Sequence, residues 1–323
     1  FTLINWLILL GLFCIYGLSN VRLFSMRKIW NELAQPDMSL LRSWSPETAA
    51  SMPFQQPYVA VFSDGPKQLL YVAARHPRAD DPTSHPPSSA TCQTIKGLFA
   101  DINTRPDLVV LEGIAQRGQY SQPDFLEKAI SDAQNNFKDS AESAFAAYLA
   151  HKSGIPFSSG EPSELDTLRE LQRRGYSALD AVCFDVTLYL QQEARQRRLS
   201  PHTDAIEREG HRLLNGFARR YGMEAPSFAQ LVDWYKAKAG HPMTLDALCH
   251  LSTEPPDNSN ANYFQRLGTV YGLVREPAIV QNIFNELQQR DRVMVVFGAA
   301  HEAKQRPVFQ KVFRQAPYFL KPF

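Results

Sequence analysis

Three short apolar runs in this chain stop in an ionisable residue. Val72 leads on to His76. Leu108-Val109-Val110-Leu111 stops at Glu112. Val293-Met294-Val295-Val296-Phe297 is followed by Gly298 and then His301. A fourth group, Glu161, follows the short extended piece Ile155-Pro156-Phe157. Apolar runs this short, without alternation, read as strands covered on both faces, as in a parallel sheet flanked by helices. In open α/β sheets, ligands bind beyond the carboxyl ends of the strands. A carboxylate directly after Leu-Val-Val-Leu is costly unless it is solvated, paired or ligating. If the strands are neighbours, His76, Glu112, Glu161 and His301 converge on one edge of the sheet. Two imidazoles and two carboxylates suit a divalent Mn, Co, Zn or Fe ion. They suit metal-free general-base catalysis equally well. For His301 alone the plain alternative is a stray histidine in a surface loop after Gly298.

Arg275 joins this set on different grounds. Pro277 reads as the first turn of a helix over Glu276–Gln289, which puts Arg275 just before it. A cation there opposes the helix dipole. A residue set against its local preference often has another task, such as binding a carboxylate or a developing oxyanion. The alternative is a surface arginine paired with Glu276.

These groups need elements to carry them. Tyr58–Phe62 and Gln68–Val72 flank Ser63-Asp64-Gly65-Pro66, a strong hairpin signal. Pro77–Ser89 is a Pro-, Asp- and Ser-rich loop in which His85 could cover a site. Ser89–Asn103 reads as a helix. Helical patterns then run through Gln122–Phe137, Ser140–His151, Pro162–Arg174, Ser177–Glu193, Thr203–Tyr221 and Ser227–Ala239. Ser177-x-x-Asp180 resembles a capping box, and Gly175, Gly222 and Gly240 serve as stops. Ser252–Asn262 is a loop, and Glu302–Phe313 a closing helix. The order hairpin, helix, strand, helical block, helix, strand predicts an α/β fold class. Its mixed sheet core is built from the N- and C-terminal halves, with a large helical insertion or cap between them. The expected boundaries are 56–121 and 263–323 for the two halves of the core and 122–262 for the insertion.

The 323 residues include 44% hydrophobic ones, enough for a substantial core, and the net charge of +1 gives no pull toward nucleic acid. Four cysteines, scattered, form neither a disulfide framework nor a CxxC zinc site. Residues 1–21 carry no charge and read as a signal peptide or membrane anchor. That predicts an exported or membrane-anchored protein, with membrane association through this segment. Residues 22–55 read as a linker with one short helix around Met26–Leu33. His151, His202, His211, His241 and His250 read as ordinary surface or core residues.

Ala73-x-x-His76 after a strand, Glu112-Gly113, Gly160-Glu161-Pro162, Arg275-Glu276 and Gly298-x-x-His301 together resemble the TraB/Tiki superfamily, which embraces erythromycin-esterase-like and ChaN-type proteins. The resemblance covers about residues 57–316, in short islands. Tiki-type members are described as metal-dependent proteases, erythromycin esterases as hydrolases using His and Glu, and ChaN-type members as haem-binding. The resemblance therefore implies a hydrolase, metal-dependent, acting on a peptide or a small-molecule ester. His76 and His301, with Glu112 or Glu161, would hold the metal or orient a water. One glutamate would take the water's proton, and Arg275 would stabilise the oxyanion. The competing expectation is a non-catalytic cleft for haem, a metal or a peptide. The first box carries Ala73 where the family has Gly, so the backbone there must use an ordinary, negative-φ region.

Overall fold

The computed structural model describes residues 35–53, 55–76, 86–113, 122–137, 141–195, 199, 203–253 and 261–321. The leader, the helix expected at Met26–Leu33, His85, His202 and most of the 252–262 loop lie outside these residues. Among the described residues, no helix is long and apolar enough to cross a membrane.

The Asp64-Gly65 turn closes a hairpin of β1 (Tyr58–Asp64) and β2 (Lys67–Ala74), paired from Tyr58↔Ala73 to Asp64↔Lys67. Gly65 has φ +56°, the left-handed conformation that a tight turn asks of glycine. Three further strands run parallel to β2. These are β3 (Leu108–Leu111), β4 (Phe157–Ser159) and β5 (Arg292–Gly298). Of the extended piece expected at Ile155–Phe157, Phe157 opens the strand; Pro156 has no N–H to give the ladder, though its carbonyl accepts from Val109 N at 3.1 Å. A sixth strand, β6 (Tyr318–Leu320), adds antiparallel to β1. Tyr318-Phe319-Leu320 has strand-forming residue types but is only three residues long, so this one was not expected. The sheet order is β4-β3-β5-β2-β1-β6. The continuous apolar runs are buried on both faces, as expected for parallel strands.

One face is covered by α2 (Ala90–Ala100), α3 (Pro123–Gln134) and α4 (Glu142–Lys152), whose Ile95, Ala129, Phe145 and Ala150 pack with Val72, Val109, Phe157 and Val296. The core therefore continues through β4, and the helices of 122–152 belong to it rather than to the insertion. The reason lies in α4, whose Ala144, Phe145, Ala146 and Ala147 are all buried, which a helix in an exposed cap would not need.

A separate helical core follows, from α5 (Glu164–Arg173), α6 (Ala178–Arg195), α7 (Thr203–Arg220), α8 (Phe228–Ala239) and α9 (Leu245–His250). The expected box at Ser177 and Asp180 forms reciprocally, with Ser177 N donating to Asp180 and Asp180 N to Ser177 Oγ.

The second face of the sheet is covered by α10 (Tyr263–Gln289) and α11 (Ala299–Phe313). Here the expectation of a helix starting at Glu276 is corrected. The box formed by Asn262 and Gln265 starts α10 thirteen residues earlier, so Pro277 lies inside it. Its ring removes the N–H that the carbonyl of Leu273 would otherwise meet. Phe264 and Leu267 at one end of α10 pack in the helical core, while Ile279, Val280, Ile283 and Leu287 at the other pack on the sheet. Arg275 and Glu276 sit where the two cores meet. Residues 38–50 are more than a linker: a 3-10 turn (Met38–Leu40) and α1 (Pro46–Ala50) precede the hairpin, and Arg42 N donates to the Lys304 carbonyl on α11.

Candidate active site

β5 lies between β3 and β2, with Leu111 opposite Val296 and Ala74 opposite Gly298. The carboxyl ends of the three strands are therefore level, and the residues just beyond them converge. Glu112, one residue past β3, is the hub. Its Oε2 accepts from Gly298 N at 2.7 Å, and its Oε1 accepts from Arg275 Nη2 at 3.0 Å. His301 Nε2 lies 3.4 Å from Oε1, and His76 Nε2 lies 3.8 Å from Oε2. These cations hold the Glu112 carboxyl well below its usual range, although burial by itself would raise it.

Gly298 is needed for a reason other than a turn. Its φ of −55° is open to any residue. A Cβ there would lie 2.6 Å from His76 Nε2, so the glycine makes room for the imidazole. Ala73 lies within β2, in ordinary extended backbone.

His76 is fastened from behind. Its Nδ1 lies 2.6 Å from Glu142 Oε1, in the first turn of α4, while 55% of its side chain stays exposed. Desolvation would lower its pKa, but the hydrogen bond to Glu142 and the charges of Glu142 and Glu112 outweigh that and raise it to about 9.

His301 lies in the first turn of α11 rather than in a loop, and is 8% exposed. Its Nδ1 is 2.9 Å from Glu276 Oε1, off the line of a hydrogen bond, so the attraction there is one of charge. Burial would lower its pKa, but Glu276 and Glu112 raise it against the opposing charge of Arg275. Glu276 is tied further: Lys304 Nζ donates to Oε1, and Gln305 Nε2 donates to Oε2 at 2.6 Å. Burial opposes its ionisation, but His301 and Lys304 overcome that and lower its pKa to about 2.

Glu161, just beyond β4, faces Arg275. Arg275 Nε donates to its Oε2 at 2.7 Å and Nη2 donates to its Oε1. The guanidinium thus clamps Glu161 and Glu112 together. Arg275 is not the cation at a helix start that its sequence position suggested, since it lies in the interior of α10. Its bonds use Nε and Nη2 among the described residues.

All five residues singled out from the sequence, His76, Glu112, Glu161, Arg275 and His301, come together. Glu142 and Glu276, each behind one of the two imidazoles, were missed. Glu276 carried a signal: it shares the spacing of Ile279, Val280, Ile283 and Leu287, so a carboxylate stood on the apolar stripe of a helix. Glu142 opens an apolar helix and differs in nothing visible from an ordinary first-turn acid.

The donor types suit a divalent ion, and both imidazoles have a carboxylate on the far nitrogen, as ligating histidines commonly do. The arrangement suits it less well. Arg275 already holds the Glu112 oxygen that faces His301. Among the described residues, no group of three or more His, Cys, Asp or Glu side chains is placed to hold a metal. No family model, curated protein or solved structure is matched by this chain.

Proposed function

We propose that the chain is a hydrolase of the TraB/Tiki type that activates water with His and Glu to cleave a peptide or ester bond. The observation that supports this most is the meeting of two imidazoles from opposite ends of the chain on one buried, ionised carboxylate. Glu112, ionised at neutral pH, is the group placed to take the proton from water, although the cations around it make it a weak base. His76, half-exposed and carrying its proton at neutral pH, is the acid that gives a proton to the leaving oxygen or nitrogen. As His76 loses that proton, Glu112 becomes more basic, so the proton taken from water returns to His76 and closes the cycle. His301 and Arg275 hold Glu112 in place, and Arg275 offers positive charge to the developing oxyanion.

The resemblance also implies a divalent ion, Mn, Co, Zn or Fe, on His76, His301 and Glu112. Such an ion would make hydroxide available at neutral pH. Holding it would require Glu112 to exchange Arg275 for the ion. A panel of activated esters and peptides, assayed with chelator and then with each ion added back, tests both versions. If His301→Ala retains full turnover on any substrate the wild type cleaves, the assignment is wrong. Because Glu161, Glu112 and Arg275 are already mutually paired, a non-catalytic cleft is the second reading. It expects haem or metal binding that depends on His76 or His301, seen as a Soret band or by elemental analysis, with no turnover across the panel.

The proposal includes export or membrane anchoring through residues 1–21. Recovery of the expressed full chain in the soluble cytoplasmic fraction would refute that part.

A further inference from the structure

A cavity of about 230 Å³ opens beside the candidate active site and shares Glu276 and Lys304 with it. One flank is the segment from Met38 to Trp44, and the other is α10. Gly268, Gly272 and Glu276 stand four apart on that helix, on one face. Of the two glycines, only Gly272 leaves helix backbone bare toward the cavity. Gly268 is already close-packed, since a Cβ there would lie 2.5 Å from the Thr253 carbonyl. At Gly272 a Cβ would meet nothing within 4 Å, so here the helix looks into open space. Leu41, Trp44, Leu273 and Pro277 make the rest of the wall apolar, and Leu273 is 52% exposed, unusual for a large aliphatic side chain.

The charge lining this cavity does not balance. Lys304 and Glu276 neutralise each other. Arg42, exposed at the edge, has no ion-pair partner among the described residues, and so leaves one positive charge over. A short apolar enclosure with one surplus cation fits a molecule with an apolar body and one negative charge.

We propose that this cavity binds a small amphipathic monocarboxylate with an apolar chain of roughly six to ten carbons. Its head pairs with Arg42. Its tail lies between the Trp44 indole and the bare face at Gly272. The proposal does not depend on the hydrolase reading, because binding is measured and not turnover.

The test uses octanoate as probe against the full chain, with the Trp44 indole N–H followed by NMR and assigned with Trp44→Phe. Octanol and octylammonium match the tail and vary the head. Octanoate is expected to saturate and to bind about tenfold more tightly than either control. Gly272→Leu fills the space and favours the helix, so it should abolish binding while leaving the melting temperature undiminished. Arg42→Ala should weaken octanoate several-fold and leave octanol unchanged. Equal affinity for octanol, octanoate binding that survives Gly272→Leu, or no saturable shift of Trp44 up to about 20 mM would each overturn the proposal.

Discussion

Replacing Gly298 by alanine tests the geometry of the site more directly than removing any of its charges. The added Cβ would stand 2.6 Å from His76 Nε2, where about 3.5 Å is the comfortable contact, so the ring must retreat by about 0.9 Å. The backbone accepts the change, because φ is −55° and the bond from Gly298 N to Glu112 is a main-chain bond that alanine keeps. The imidazole is the mobile end of a half-exposed side chain, so it is the part that moves. Its 2.6 Å contact with Glu142 then weakens, at a cost of about 1–3 kcal/mol for a buried carboxylate losing a partner. Replacing glycine returns about 0.4–1 kcal/mol by restricting the unfolded chain. The net loss, between about 0 and 2.6 kcal/mol, lowers the melting temperature by several degrees at most. A catalytic group misplaced by about 1 Å loses about a hundredfold in rate. The assay pairs turnover with an NMR titration of His76. Turnover should fall about a hundredfold while the protein stays folded, and the pKa of His76 should drop from about 9 toward its ordinary value of 6.5. An unchanged titration near 9 with unchanged turnover would refute the reasoning. A collapse of the fold would show that Gly298 serves packing instead.

Further outcomes rest on the same geometry. Since His76 must carry its proton to act as the acid, turnover should decline as pH rises through about 9, and a rate that keeps climbing past pH 10 would exclude it from that role. The raised pKa of His76 also stabilises the fold below pH 6.5 and loses that effect as pH rises through about 9, by no more than about 1 kcal/mol given its exposure. Glu276 has the opposite sense: its pKa is lowered from 4.5 to about 2, so its contribution, on the order of 3 kcal/mol, is present above pH 4.5 and lost as pH falls toward 2. Glu276→Gln should therefore destabilise by about 3–5 kcal/mol at pH 7, leaving His301 and Lys304 buried without their counter-charge, and melting curves at pH 7 and pH 3 should show the gap narrow in acid. In the helical core, burial raises Asp185 from 3.8 to about 7 despite the hydroxyl that Tyr221 donates to it at 2.6 Å. Stability should thus fall as pH rises from about 4 through about 7, and Asp185→Asn should gain roughly 1–2 kcal/mol at pH 8 with little change at about pH 4, as read by denaturant melts.

The sheet was legible because parallel strands buried on both faces must be apolar without interruption, and Leu108–Leu111 and Val293–Phe297 are. The ends of those strands were legible for the same reason: an ionisable residue that stops such a run must be answered by something. Arg275 stood out as a cation at a helix start that α10 does not have, since a capping box at Asn262 decides the start and a proline does not. Two things could not be read. Packing partners such as Glu142 are set by which helix covers which face, and nothing local to residue 142 states that. The demand for glycine at 298 is made by a side chain more than two hundred residues earlier, so no local pattern records it.

The strand order carries a consequence for how the molecule is made. The centre of the sheet, β5, is nearly the last strand to be synthesised, and until it arrives the β1–β2 hairpin and the β3–β4 pair have no strand joining them. A nascent chain ending before Arg292 would leave the β2 and β3 edges that β5 joins unpaired and hold His76 and Glu112 with nothing to bring them together. Assembly must therefore wait for long-range closure, which is slow and leaves the waiting chain prone to stick to others.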